Sequence, residues 1–164
     1  MILDATNRFS DAQAVALPIG TYPSSDAVDT FIALGFNPNT LKDLGNGEGL
    51  WLTVTNPVAI VGVATSTLQV RLVTAAIANG ATANILTAAV VIQSGAVIPV
   101  GVAGIPAGSI LAQFRIPNGF NYQRYLGVEY LVATAALTGT PSVSSFLSKD
   151  IQNAPIYAKN YTIS

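Results

Sequence analysis

The sequence is dominated by short segments in which apolar and polar residues alternate, separated by glycine, proline, asparagine and serine. Residues 67–73 show the pattern most clearly, because Leu68, Val70 and Leu72 alternate with Gln69 and Arg71. A period of two indicates a β-strand with one face in a core and the other in solvent or against a neighbour. No helical stripe runs for long, so the pattern predicts an all-β fold.

Similar segments recur along the chain and predict further strands. In residues 110–116, for example, Ala112, Phe114 and Ile116 alternate with Gln113 and Arg115. Many short strands separated by glycine and proline turns are typical of an antiparallel β-sandwich or a jelly roll. The predicted strands are Val28–Leu34, Leu50–Thr55, Thr67–Val73, Ile85–Ile92, Ile110–Ile116, Tyr125–Ala133 and Ser142–Leu147.

The length of the chain, 164 residues, fits a single domain with its own core. The two ends are more polar than the middle and contain no strand pattern that we would assign. We therefore expect a β-sandwich over residues 16–150, with an N-terminal arm over residues 1–15 and a C-terminal arm over residues 151–164.

The chain contains no histidine and no cysteine. The common zinc sites need these residues as ligands, and the Ser–His–Asp and Cys–His systems need them for nucleophilic catalysis. The sequence therefore excludes a large share of enzyme chemistry, and we expect no metal site and no cofactor.

Carboxylates are the remaining candidates for acid–base chemistry. Asp26 and Asp29 are three residues apart near a predicted strand start, and Glu129 lies within a predicted strand. A hydrolase of the glycosidase type needs two carboxyl groups across a cleft, one of them with a raised pKa. Two aspartates three residues apart, such as Asp26 and Asp29, are more typical of a strand edge than of a catalytic site. Glu129 can form an ion pair with Arg115 or Arg124. We therefore expect no catalytic residues.

The charge content is low, with seven basic and eight acidic residues and a net charge of −1. A nucleic-acid interface needs a basic stripe, so we expect no nucleic-acid partner. Charged residues make up 9% of the chain, against about 25% in a typical domain. We therefore expect part of the surface to be buried against other subunits in a homo-oligomer, and we favour a trimer over a dimer.

A membrane-spanning segment is not expected. The chain carries no charge over residues 72–114. The best window for a span within this stretch, residues 81–103, is interrupted by polar residues, glycine and proline, and its nearest charges are an arginine on each side. That symmetry gives no positive-inside signal. The opening Met1-Ile2-Leu3-Asp4 has no basic region before a hydrophobic core, so no signal peptide is expected either.

Particular residue blocks resemble the capsid cement, or decoration, proteins of tailed bacteriophages, of the type found in a short-tailed Bordetella phage. The blocks are Met1-Ile2-Leu3-Asp4-Ala5-Thr6-Asn7-Arg8-Phe9-Ser10-Asp11-Ala12-Gln13-Ala14-Val15, Asp43-Leu44-Gly45-Asn46-Gly47-Glu48, Phe114-Arg115-Ile116-Pro117, Arg124-Tyr125-Leu126-Gly127-Val128-Glu129-Tyr130 and Lys149-Asp150-Ile151-Gln152. The resemblance covers nearly the whole chain. It implies a jelly-roll protein on the outer surface of an icosahedral head, where it bridges major capsid protein subunits and stabilises the shell.

We expect the arms to supply the contacts to the capsid or to other copies of the chain. The residues assigned to these contacts are Ile2, Leu3, Asp4, Arg8, Phe9, Asp11, Tyr157 and Tyr161. The alternative function is a β-sandwich binding module, such as a fibre or receptor-binding domain that recognises carbohydrate. That function needs an exposed aromatic side chain with polar neighbours in a groove.

Overall fold

A computed structural model describes residues 8–15, 18–29, 49–76, 89–117, 120 and 122–148. Within these residues the secondary structure consists of β-strands, and no helix there could cross a membrane. The strands are β1 (Arg8–Ala14), β2 (Gly20–Pro23), β3 (Val28–Asp29), β4 (Trp51–Val58), β5 (Val61–Gly62), β6 (Thr67–Ala75), β7 (Val90–Pro99), β8 (Ile110–Arg115), β9 (Tyr125–Ala133), β10 (Leu137–Thr138) and β11 (Ser142–Ser148).

Two large antiparallel sheets form the fold, and a third, two-stranded sheet pairs β5 with β10. The first sheet has the strand order β1-β11-β4-β8, and the second has the order β2-β9-β6-β7, with β3 also paired to β9. Eight strands remain when the short strands β3, β5 and β10 are set aside, and they pair from the chain ends inward. Strand β1 pairs with β11 and β4 with β8 in the first sheet, while β2 pairs with β9 and β6 with β7 in the second. This nested pairing is the winding of a jelly roll, so the predicted fold class is confirmed.

The core lies between the two sheets. The alternation predicted for β6 is confirmed, because Leu68, Val70 and Leu72 are fully buried while Gln69 and Arg71 are half-buried on the other face. In the first sheet, Leu52 pairs with Phe114 and Val54 with Ala112, so each pair shares the face that carries the core. Most of the buried apolar side chains of both sheets belong to one cluster, and Val73 and Ala75 at the end of β6 form a second, smaller one.

Tyr130 links the two sheets at the centre of the core. Its side chain points from β9 of the second sheet and is fully buried. The hydroxyl lies 2.9 Å from Ser10 Oγ of β1 and 2.7 Å from Ser145 Oγ of β11, both in the first sheet. A buried phenol needs hydrogen-bond partners, and these two buried serines supply them.

Two of the strand predictions differ from the structure or extend beyond what it describes. The segment predicted as Ile85–Ile92 is shifted, since the strand runs over Val90–Pro99 and residues 85–88 lie outside the described residues. Gly95 and Pro99 look like strand breakers, but β7 is at the edge of its sheet, where both residues are tolerated. For Val28–Leu34, the structure confirms Val28–Asp29 as a strand, and residues 30–34 are outside the described residues.

The predicted N-terminal arm is too long. Residues 8–14 form β1, an edge strand of the first sheet paired with β11, rather than an arm over residues 1–15. The apolar positions of this segment are too few for a pattern to show, but the strand is held by partners about 130 residues away in the sequence, such as Phe146 and Val143. Residues 1–7, the first part of the predicted N-terminal arm, and residues 149–164, which include the whole predicted C-terminal arm, lie outside the described residues.

Candidate interaction surfaces

The structure places three of the predicted contact residues on β1. Arg8 and Asp11 are on the surface, where Arg8 Nη1 lies 2.6 Å from Asp11 Oδ2 and the two side chains are 38% and 64% exposed. An ion pair this exposed contributes little to the stability of the fold. Because both side chains are exposed, both charged groups are accessible to a partner. The other predicted contacts Ile2, Leu3, Asp4, Tyr157 and Tyr161 lie outside the described residues.

Phe9 cannot be a contact residue while β1 remains in the sheet, which corrects the prediction from sequence. Its side chain is fully buried in the core, with no surface left for a partner. Its carbonyl oxygen also accepts hydrogen bonds from Asp26 N at 2.8 Å and from Ser25 Oγ at 3.3 Å. Phe9 therefore anchors β1 in the fold.

Four chain connections meet at one end of the jelly roll. They join β1 to β2, β4 to β6, β7 to β8 and β9 to β11, and their described residues are 15, 18–19, 59–66, 100–109 and 134–141. None of these residues carries a charge. We call this surface, together with Pro57 and Val58 at the end of β4, the uncharged end.

Backbone pairing makes the uncharged end a single ordered structure. The short strand β5 pairs with β10, and Ile60 pairs with Ile105 in an isolated bridge. Gly62 N donates to Gly101 O at 3.2 Å, and Val15 N donates to Pro141 O at 2.9 Å. These backbone pairs and hydrogen bonds link all four connections to one another.

Asn56 holds the connection between β7 and β8 in place. The side chain is fully buried, and its amide Nδ2 donates to Pro106 O at 2.8 Å and to Val58 O at 3.2 Å. The Asn56 backbone carbonyl also accepts from Gly108 N at 2.7 Å. A buried amide that bonds two segments through backbone groups fixes their relative position.

Apolar side chains project from the uncharged end into solvent. The exposed valines there are Val58, Val61, Val63 and Val102, and Val102 is 71% exposed. Single exposed valines are ordinary, but a group of them on an ordered surface without charge is typical of an interaction site. Sequence reasoning missed this surface, although the lack of charge in all four connections was a visible signal.

A shallow cleft lies between the edge strands β7 and β8 of the two sheets. It has a volume of about 310 Å³, and its lining includes Gln93, Ser94, Gln113 and Phe114. Gln93 Oε1 is buried and accepts no hydrogen bond from the part of the chain that the structure describes. Amide groups beside an aromatic ring can bind a small polar ligand, and the cleft is at the lower limit of the size of known ligand sites.

The carboxylates do not form a catalytic pair among the described residues. Glu129 lies opposite Arg71 on the outer face of the second sheet, and Asp26 lies in the connection between β2 and β3. Burial raises the pKa of Glu129 above its ordinary value, and the positive charge of Arg71 lowers it by less. No group of three acidic side chains that could hold a metal ion occurs within the described ranges.

Comparison with known proteins shows the family of the chain. A family model described as Bbp16 matches residues 9–146, which is most of the chain. A search of curated proteins found no match to the chain. The family name is that of a Bordetella phage protein, which is consistent with the phage protein family that the resemblance implies. The chain is a member of the Bbp16 family, which bears the name of a Bordetella phage protein.

Proposed function

We propose that the protein is a non-catalytic capsid cement protein. It binds the outer surface of an icosahedral phage head as a homo-oligomer, bridges major capsid protein subunits and stabilises the shell. The observation that carries the proposal is an ordered, uncharged end with exposed valines on a jelly roll that belongs to a phage protein family. Such a surface suits attachment to protein, because its apolar groups gain from burial and no charge must be desolvated.

The attachment works through several contacts at once. An oligomer that touches adjacent capsomers converts each further contact into an intramolecular event, so modest contacts combine into tight binding. A component that binds the assembled shell but not its disrupted form stabilises the shell by about 2.7 kcal/mol per site at a hundredfold excess over Kd. Many sites on one head add these small contributions together.

The test is a thermal release assay on DNA-filled heads with and without the protein. Heads that lack it should assemble but release their DNA at a lower temperature, and adding purified protein should restore the release temperature. Because the uncharged end carries no ionic groups, binding should persist at moderately high salt, where exposed ion pairs are screened. Equal release temperatures with and without the protein would refute the cement function, and release of the protein by modest salt would refute apolar attachment.

A second candidate function is a binding module for neutral carbohydrate, and the cleft between β7 and β8 favours it. Phe114 lines this cleft beside Gln93 and Gln113, although its ring is half-buried and packs partly on the core, so only part of it could stack on a sugar. Titration of the protein with a panel of neutral oligosaccharides tests it, with a Gln93→Ala variant as the control. Saturable binding that the variant loses would favour this function, and no binding to any member of the panel would exclude it.

A further inference from the structure

Strand β1 is joined to its sheet by irregular pairing. Its seven residues form four Cα pairs with β11, and the register shifts twice, between Arg8 and Ser10 and between Ser10 and Gln13. Such shifts leave residues without a partner on the opposite strand. The strand also lies at the edge of its sheet, so β11 is the one described strand that pairs with it. Strand pairing by itself therefore holds β1 weakly.

Backbone strain lies within this irregular part of β1, at Ala12. The φ angle of Ala12 is 48°, and in the described part of the chain Thr134 is the one other residue besides glycine with a positive φ. Alanine is disfavoured in this region because its Cβ atom approaches the following carbonyl oxygen. Strained backbone is often found in segments that change conformation, and it persists only where surrounding contacts offset its cost.

Two side chains of β1 supply such contacts. Phe9 is fully buried in the core. Gln13 is half-buried, and its Nε2 donates to Pro23 O at 2.8 Å while its Oε1 accepts from Ser25 N at 2.8 Å. Pro23 ends β2 of the second sheet, and Ser25 lies in the connection that follows it. Gln13 therefore fastens the edge of the first sheet to the edge of the second.

The contacts of β1 to the second sheet form one network. Ser10 Oγ donates to Gln13 Oε1 at 2.7 Å and lies 2.9 Å from the hydroxyl of Tyr130. The carbonyl oxygen of Phe9 accepts from Asp26 N at 2.8 Å. Loss of one bond in such a network weakens the others. We therefore expect β1 to leave the fold as a unit rather than residue by residue.

Strand β7 is the other edge strand with two register shifts. Its ten residues form seven Cα pairs with β6, and it contains no residue with a positive φ. It therefore lacks the combination of few pairs and local strain that β1 has. If an edge strand opens separately from the rest of the fold, the geometry favours β1.

We propose that β1 is a strap with two states, the closed state of the structure and an open state in which the whole strand leaves the sheet. Phe9 and Gln13 hold the strap closed, and the strain at Ala12 favours opening. In the closed state Arg8 and Asp11 face solvent while Phe9 is buried. Opening exposes Phe9 beside these two charges, so the strap controls whether β1 presents an apolar side chain. The device belongs to the chain alone and does not depend on the cement function.

Amide hydrogen exchange tests the strap, since local opening exposes the β1 amides without unfolding the rest of the protein. In the wild type, the protection factors of β1 should be at least about tenfold lower than those of β9, a central strand of the second sheet. Ala12→Gly should raise the protection of β1 about fivefold, because glycine adopts a positive φ without the steric cost. The matched control is Thr134→Gly, which relieves a φ of 68° outside β1 and should leave the ratio of β1 to β9 unchanged.

Gln13→Ala should act in the opposite direction. It removes both bonds to the β2 segment, so the protection of β1 should fall at least about tenfold while that of β9 changes little. Gln69→Ala is the control, because Gln69 is also half-buried and its Nε2 also donates to a backbone carbonyl, Gly95 O at 3.0 Å, but within the second sheet. Urea denaturation establishes that each variant is folded.

Thiol labelling measures the exposure of a side chain of β1. The chain contains no cysteine, so Ser10→Cys introduces a single thiol at a position that is fully buried in the closed state. A thiol reagent reaches this position only when β1 opens. Adding Ala12→Gly should slow the labelling about fivefold, and adding Thr134→Gly should not change it.

Three results would overturn the inference. Equal protection of β1 and β9 in the wild type would show that β1 has no separate open state. Equal effects of Ala12→Gly and Thr134→Gly on β1 would show that strain at Ala12 does not drive opening. A uniform loss of protection in Gln13→Ala would show that β1 opens only when the whole domain unfolds. Opposite changes in β1 for Ala12→Gly and Gln13→Ala, with β9 unchanged, support the strap.

Discussion

The hydroxyl groups of Tyr130 and Ser145 lie 2.7 Å apart, so a side chain of the second sheet is hydrogen-bonded to a side chain of the first inside the core. Ser10 adds a second bond from the same sheet, at 2.9 Å. Apolar packing alone would allow the sheets to slide relative to each other. The buried hydroxyls define one relative position, because in any other position they would be unsatisfied.

Replacing Tyr130 with phenylalanine should destabilise the fold. The substitution leaves the buried Ser145 hydroxyl without this partner, which costs about 1–3 kcal/mol in the free energy of unfolding. Urea denaturation measures the change. The control is Tyr22→Phe, which removes a more exposed bond from Tyr22 Oη to Pro18 O and should change stability by less than about 0.5 kcal/mol. Equal effects of the two substitutions would contradict a structural role for the buried hydroxyl.

Stability should fall at high pH through Tyr130. Burial raises the pKa of Tyr130 to about 12, and the hydrogen bonds from Ser10 and Ser145 lower it by less. The unfolded chain has a pKa near 10, so the folded state favours the neutral phenol more strongly. This contribution is complete below about pH 10 and is lost as the pH rises toward about 12, by roughly 3 kcal/mol in total.

Urea denaturation of wild type and Tyr130→Phe over this pH range measures the contribution. Other groups titrate there in both proteins, so the difference between the two curves isolates Tyr130. The stability advantage of the wild type should shrink as the pH rises. A difference that stays constant would contradict the raised pKa.

Glu129→Gln should raise stability at neutral pH. Because the folded-state pKa of Glu129 is raised, mainly by burial, its charged form is disfavoured in the folded protein, and the cost develops as the pH rises through that pKa. An uncharged isostere avoids it. Thermal unfolding should show a higher Tm for the variant at neutral pH and equal values at a pH low enough to protonate the carboxyl. A lower Tm at neutral pH would show that the attraction to Arg71 outweighs burial.

Gly104→Ala should destabilise the uncharged end more than Gly101→Ala does. Both glycines have a positive φ, at 71° and 59° respectively, so alanine costs about 1–2 kcal/mol in backbone strain at either site. A Cβ atom at Gly104 would also lie 2.7 Å from Ile60 O, whereas one at Gly101 would meet nothing within 4 Å. We expect an additional loss of about 1–3 kcal/mol for Gly104→Ala, measured by chemical denaturation. Equal losses would mean that the connection moves away from Ile60 without cost.

Two N-terminal deletions should separate attachment from folding. Removing residues 1–7 leaves β1 complete, so Tm should hardly change, and head binding should weaken if this segment contacts the capsid. Removing residues 1–11 also deletes Phe9, and loss of a buried phenylalanine costs about 3–5 kcal/mol. Thermal unfolding and co-sedimentation with heads measure the two effects. Full head binding after the shorter deletion would assign attachment to other surfaces.

Local sequence pattern determined the strands that have one buried and one outer face. The segment around Leu68 alternates from Thr67 to Leu72, and both this strand and the strand around Tyr130 were predicted to within two residues of their ends. The absence of histidine and cysteine likewise excluded whole classes of chemistry without a structure. The strand predictions succeed because a period of two is a property of the chain itself.

Only the tertiary structure decided the role of Phe9, the extent of β7 and the uncharged end. Phe9 is a core residue because β1 pairs with β11, whose residues are far away in the sequence. Strand β7 continues through Gly95 because an edge strand tolerates bulges. The valines near residues 60 and 102 become one surface because the jelly roll returns every second connection to the same end. Each of these depends on pairing between distant segments, which a local pattern does not encode.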